Sequence, residues 1–189
     1  MNPPTVVVLA SGRGERFIAS GGAGNKLQAL LAGKPVLQHT LDAVRASGLP
    51  WHLEQAPHQG MGDSIAAAVR ATRDAGGWLI LPGDLPLVRP DSLRRVAAAL
   101  TEHGVVLPTY QGKQGHPVGF GPRCRDPLLM LDGPQGAAPV TRAAKVAMRA
   151  LELALDDPGI VADIDTLDDL ARAQSMLSGA GPAAIRSPT

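Results

Sequence analysis

Thr5-Val6-Val7-Val8-Leu9-Ala10 is an unbroken β-branched and apolar run, and it leads directly into Ser11-Gly12-Arg13-Gly14-Glu15-Arg16. A run with no polar alternation suits a strand buried on both faces, as in a parallel sheet. Residues 11–24 hold five glycines and no periodicity, and read as a loop. Downstream, apolar segments alternate with helical patterns. Apolar residues at 36, 37, 41 and 44 predict an amphipathic helix over Val36–Ser47, closed by Gly48. Strands are expected at 53–56, 78–81, 105–109, 118–120 and 148–153. Helices are expected from Asp63 or Ser64 as N-cap to about Asp74, from Asp91 to about His103, at 126–131, from Pro139, and from a Thr166-Asp169 capping box to about Leu177. This alternation implies a single-domain α/β fold: a Rossmann-like, doubly wound, mostly parallel sheet over residues 1–178. Residues 179–189 are Gly, Ala, Pro and Ser-rich and read as a disordered tail.

Composition narrows the function classes. The chain has 189 residues, 44% of them apolar, enough for one core. Aromatics are only 3%, which leaves few rings for stacking single-stranded bases. Eighteen Lys and Arg against 17 Asp and Glu give a net charge of +1, so no overall field favours nucleic acid or an anionic membrane. Cys124 is the only cysteine, which fits a reducing compartment. The N-terminus lacks the pattern of a signal peptide, and no stretch approaches the ~20 apolar residues of a membrane span. The expectation is a cytoplasmic protein that binds neither membrane nor nucleic acid.

In doubly wound sheets ligands sit beyond the carboxyl ends of the strands. The segments there are 11–26, Pro82-Gly83-Asp84-Leu85-Pro86 and His116-Pro117-Val118. Glycines let backbone N–H groups approach phosphate oxygens, and Arg16 and Lys26 are the candidate cations. The dinucleotide fingerprint fails because Phe17 stands at the third glycine position. The Walker A loop fails because Leu27 and Pro35 follow the two lysines. Asp84 directly follows an apolar strand, as suits one Mg²⁺ contact, or else lies in an ordinary turn. Alternation puts Asp163 and Asp165 on one side of an extended segment, where a shared cation would relieve their repulsion. Gly60-Met61-Gly62-Asp63-Ser64 opens a helix, a place for an anionic ligand or for simple capping.

Taken in order, Val8-Leu9-Ala10-Ser11-Gly12 with Arg16 and Lys26, Gly60 to Ser64, Gly83-Asp84-Leu85-Pro86, Gly115-His116-Pro117-Val118 and Asp163-Ile164-Asp165-Thr166 resemble the molybdenum-cofactor guanylyl/cytidylyltransferase-like family of nucleotidyltransferases. The CTP:molybdopterin cytidylyltransferase branch is the most similar. The resemblance implies the fold of nucleotide-diphospho-sugar transferases. It also implies Mg²⁺-dependent transfer of a nucleoside monophosphate, CMP before GMP, to molybdopterin or another phosphorylated acceptor, with release of pyrophosphate. By the same resemblance Leu9, Ala10, Ser11, Gly12, Arg13, Gly14, Arg16 and Lys26 surround the triphosphate. Gly60, Met61, Gly62, Ser64 and Gly83 complete the nucleotide site. Asp84 holds Mg²⁺ with Asp163 or Asp165, and His116 and Pro117 face the acceptor. Lys26, Arg16 and Asp84 carry the catalysis. Two alternatives stay open: a sugar-1-phosphate or other small-phosphate acceptor, and a non-catalytic nucleotide-binding accessory protein of a molybdoenzyme. Three departures stand out. Ser11 stands where the family usually has Ala or Gly. The spacing from Arg16 to Lys26 is long, and residues 49–60 span a place where the family has a further strand and helix.

Overall fold

Every residue of the first strand, β1 (Thr5–Leu9), is buried, and its side chains alternate between two separate cores. The computed structural model describes residues 2–12 and 14–179. After β1 come α1 (Glu15–Ala19), a short hairpin of β2 (Leu30–Leu31) and β3 (Lys34–Pro35), α2 (Val36–Ser47) and β4 (Trp51–Glu54). Then follow α3 (Met61–Ala71), β5 (Trp78–Pro82), α4 (Pro90–Ala99), β6 (Val105–Tyr110), β7 (Lys113–Gln114) and β8 (Val118–Phe120). The chain closes with α5 (Arg125–Leu129), α6 (Ala138–Val146), β9 (Ala150–Ala154) and α7 (Leu167–Leu177).

The seven-stranded sheet places β1 between β4 and β5, both parallel to it. On the far side of β5, β8 runs antiparallel, and β6 beyond it is antiparallel to β8. β9 lies parallel along β6. Five strands therefore point one way, and only the β7–β8 segment is reversed. Val6 and Val8 pack with Leu41 and Val44 of α2 and Leu93 and Val96 of α4. Val7 and Leu9 face the opposite core, with Ile65 and Val69 of α3, Leu128 of α5 and Val140 of α6. Helices thus cover both faces, which makes the sheet doubly wound as the sequence predicts. Leu79 and Leu81 on β5 are fully buried in the first core, and truncating a leucine in such a place typically costs about 2–5 kcal/mol.

Several elements depart from the sequence expectation. Residues 11–24 are not all loop: α1 forms inside them. It buries Phe17 (2% exposed) in a third cluster with Leu31, Val36, Ile164 and Ala173. α3 begins earlier than expected, with Gly60 in extended conformation at its N-cap and no side-chain cap bond. Neither Asp63 nor Ser64 caps it, because both side chains are engaged elsewhere. α4 starts at Pro90 and ends at Ala99, short of His103. Between β4 and α3 only residues 55–60 intervene, so β4 becomes the edge of the sheet. There Trp51 is 40% exposed, with the Arg45 guanidinium over its ring. The expected tail lies, from residue 180 on, outside the described residues.

Candidate active site

A cleft of about 690 Å³ opens along the carboxyl edge of the sheet. Its charged wall is assembled from three segments distant in sequence. The first is the turn carrying Lys26. Asn25 caps it by accepting a hydrogen bond from the Leu27 amide (2.9 Å), and buried Leu27 anchors it. Gly14, at φ 66°, lets the chain pass against Lys26: a Cβ there would touch Lys26 Cγ at 3.4 Å. The second is the turn after β5. The Gly83 amide donates to the Leu9 carbonyl (2.9 Å), and buried Thr40 donates to the Gly83 carbonyl (2.9 Å). These bonds hold Asp84 at the strand's end. The third is the segment before α7. The Ile164 amide donates to the Asp84 carbonyl (3.0 Å), so Asp163 and Asp165 flank that point while Ile164 is buried.

The side chains then meet. Lys26 Nζ donates to Asp84 Oδ2 (2.6 Å) and to Asp165 Oδ1 (2.8 Å). Arg16 Nη1 lies 2.6 Å from Asp165 Oδ2. Burial lowers the Lys26 pKa, but the charges and hydrogen bonds of Asp84 and Asp165 more than offset that and leave it above its ordinary value. Asp84 Oδ1 is buried and has no hydrogen-bond partner. The Thr166–Asp169 capping box aims Asp165: Asp169 Oδ2 accepts from the amides of Asp165 (3.1 Å) and Thr166 (2.8 Å). Burial raises the Asp169 pKa, and hydrogen bonds from Thr166, Arg172 and these amides outweigh it, so the carboxyl titrates below its ordinary value.

The opposite wall is made of backbone. The Gly62 amide donates to the Gly133 carbonyl (2.8 Å), and the Gly133 amide donates to Asp63 Oδ2 (3.0 Å). A Cβ on Gly60 or Gly62 would collide with the backbone of Gly133 or Asp132. The α3 N-terminus is therefore only partly open to a ligand, since the 132–133 loop takes the Gly62 amide. Ser64 Oγ joins the two walls through Ser11 Oγ, 2.9 Å away.

Leu9, Ser11, Gly12, Gly14, Arg16, Lys26, Gly60, Met61, Ser64, Gly83, Asp84, His116, Asp163 and Asp165 all line the cleft. Ala10, Gly62 and Pro117 do not; Ala10 pairs its amide with the Glu54 carbonyl, and Gly62 is buried beneath Asp132. Arg13 lies outside the described residues. The His116 amide donates to the Ile160 carbonyl (2.9 Å), and its ring feels the charges of Asp84 and Asp163. Burial lowers its pKa against the opposing pull of the Ile80 backbone, Asp84 and Asp163, and Nδ1 is buried without a partner.

Sequence reasoning missed His58, Gln59, Lys113 and Pro134, which also line the cleft. His58 Nε2 lies 3.1 Å from Glu54 Oε1, at the end of edge strand β4. Burial raises the Glu54 pKa, but hydrogen bonds from His58, the Ala56 amide and His52 hold it below its ordinary value. Lys113 sits just past the β6–β7 turn. Its signal was the Gln111-Gly112 pair, where both residues take positive φ (49° and 79°), as a two-residue hairpin turn requires. Among the described residues no three His, Cys, Asp or Glu side chains converge into a metal-binding group. A divalent ion here would need phosphate or water oxygens besides these carboxylates, which is how Mg²⁺ is usually held. The unpartnered Asp84 Oδ1 suits such an ion.

The family model described as "MobA-like NTP transferase domain" matches residues 42–150, more than half of the chain. The bifunctional protein GlmU of Nitrosomonas europaea is 32% identical over 147 residues, covering 65% of this chain and 31% of its own length. The chain thus spans about a third of the length of that curated relative. Among solved structures, a nucleotidyl transferase from Methanothermobacter superposes with a TM-score of 0.79 at 21% identity, covering 96% of this chain and 100% of that one. A Mycobacterium tuberculosis protein solved in complex with manganese superposes with a TM-score of 0.68 at 22% identity, covering 92% and 99%.

Proposed function

The chain belongs to the MobA-like NTP transferase domain family, and from that membership we propose that its cleft moves a nucleoside monophosphate onto a phosphorylated acceptor and releases pyrophosphate. The observation that carries the reading is the convergence of Lys26, Arg16, Asp84 and Asp165 at the carboxyl edge of the sheet. The two cations offer partners for phosphate oxygens and the two carboxylates offer oxygens for a divalent ion, so the cluster has groups for both parts of a metal-bound triphosphate. CTP with a molybdopterin-type acceptor is the favoured pair, supported by Gly60-Met61-Gly62, Gly115 to Val118 and Asp163 to Thr166. The reading includes a transferase domain over residues 1–178 and a cytoplasmic location. Among the described residues no helix is long and apolar enough to cross a membrane.

The chemistry asks little of a general base. An acceptor phosphate is already ionised, and its oxygen attacks the α-phosphorus in line. The new P–O bond forms as the bond to the bridging oxygen breaks, and pyrophosphate departs with that electron pair. Lys26 and Arg16 neutralise charge that builds on the phosphoryl oxygens. The Ser11–Ser64 bridge ties the glycine loop to α3. Asp84, with Asp165 or Asp163, would hold Mg²⁺, which supplies Lewis-acid charge stabilisation when bound.

The test is pyrophosphate release with each of the four NTPs and with phosphorylated acceptors, in wild type and Asp84→Ala. The expected result is Mg²⁺-dependent release with CTP that the variant loses by on the order of 10²–10³. Release no greater than the variant's for every pair would sink the enzyme reading. A preference for GTP would move the base assignment alone.

A further inference from the structure

The charged wall has a second property, and the inference about it rests on the transferase reading above. Lys26 Nζ lies between Asp84 Oδ2 and Asp165 Oδ1, at 2.6 and 2.8 Å. Arg16 occupies the other Asp165 oxygen at 2.6 Å. The ammonium is largely enclosed: the Lys26, Asp84 and Asp165 side chains are 12%, 15% and 20% exposed. Three of the four oxygens of these carboxylates are thus already satisfied by cations. The fourth, Asp84 Oδ1, is buried and unpartnered.

A divalent cation arriving alone meets an unfavourable site. The carboxylates it needs are neutralised, a resident positive charge lies within about 3 Å of them, and among the described residues no third protein ligand is poised to replace lost water. Like charges at such separations repel strongly where solvent is excluded. A triphosphate changes each of these terms. It gives Lys26 and Arg16 new anionic partners, which frees the carboxylates, and it brings oxygens that complete the coordination of an ion.

We propose that Lys26, with Arg16, is an internal counter-cation that keeps Asp84 and Asp165 closed to free divalent metal, so that metal is taken up together with the nucleotide and not before it. The capping box supports this design, since Asp169 holds the Asp165 amide and so places Asp165 for Arg16 and Lys26. Lys26 then has two positions, on the carboxylates in the free protein and on phosphate in the complex.

The experiment is a titration with Mn²⁺ alone, read as loss of the free-ion electron paramagnetic resonance signal, on wild type, Lys26→Met and Lys26→Arg without nucleotide. Lys26→Met is expected to bind Mn²⁺ at least roughly tenfold more tightly than wild type, because it removes the charge that competes for the carboxylates. Lys26→Arg keeps the charge and should stay near wild type. Equal or weaker Mn²⁺ binding by Lys26→Met, with a melting transition like that of wild type, overturns the proposal. If Lys26→Met does not melt cooperatively, Lys26→Gln is read in its place by the same criterion. Calorimetry of CTP–Mg²⁺ on wild type separates this proposal from the transferase reading. A Mn²⁺ gain without nucleotide binding supports the block and removes the transferase; nucleotide binding without the gain does the reverse.

Discussion

On one wall of the cleft Arg16, Lys26, Asp84 and Asp165 meet only through side chains, whereas on the other Gly60 and Gly62 meet Asp132 and Gly133 through backbone. The difference separates two tasks. Ion pairs between side chains can be exchanged for pairs with phosphate or metal by turning χ angles, with the backbone left in place. Backbone-to-backbone contact at glycine leaves nothing to exchange, so that wall sets the width of the cleft. On the proposed function, response to ligand belongs to the first wall and shape to the second.

The largest expected effect tests the charged wall. Lys26→Ala should lower turnover by on the order of 10²–10³, as loss of a single electrostatic contact does elsewhere, while the melting temperature stays within a few degrees. A fall in stability as large as the fall in rate would show that the ion pairs serve the fold, and the comparison of walls would break. The next effect tests the backbone wall. Gly62→Ala places a methyl into the Asp132 carbonyl and should cost about 1–3 kcal/mol in urea unfolding, as overpacking does. A neutral result would mean that the 132–133 loop yields, so that this wall does not fix the width.

The smallest effect concerns the box that aims Asp165. Because the folded pKa of Asp169 lies below its ordinary value, the stability it contributes is complete above the unfolded value of about 3.9. That stability is lost as pH falls from there through the folded pKa. Asp169→Asn should flatten this part of the stability–pH curve, and Thr166→Ala should cost about 1 kcal/mol as a lost N-cap. Thermal melts across the acid range, with wild type and both variants giving the same slope, would remove Asp169 from the account.

The regular elements were the legible part. The apolar run at Thr5–Leu9 and the 36, 37, 41, 44 pattern of α2 predict their elements closely, because burial on a strand or helix repeats at short range. The Thr166–Asp169 box marks α7 to the residue for the same reason. Short elements were not legible. α1 has five residues, too few to show a helical period, and the two-residue β7 cannot show alternation. α3 shifted because Asp63 makes its bond to Gly133, a partner 70 residues away. In the cleft, the glycine-flanked Lys26 and Asp84 stood out, and Lys113 had only the Gln111-Gly112 turn beside it to mark it, while His58, Gln59 and Pro134 carried no local signal.

By itself, the sequence determined that this chain builds a two-faced α/β sheet, and that glycine loops, a lysine and aspartates stand at its carboxyl edge. Both follow from local patterns of burial and turn chemistry. Only the tertiary structure decided that Lys26 reaches Asp165 across 139 residues, that Phe17 ties the glycine loop to α7's side of the fold, and that the 132–133 loop covers Gly62. Ion pairs and backbone packing of this kind depend on which strand ends the sheet brings together, and no local period records that.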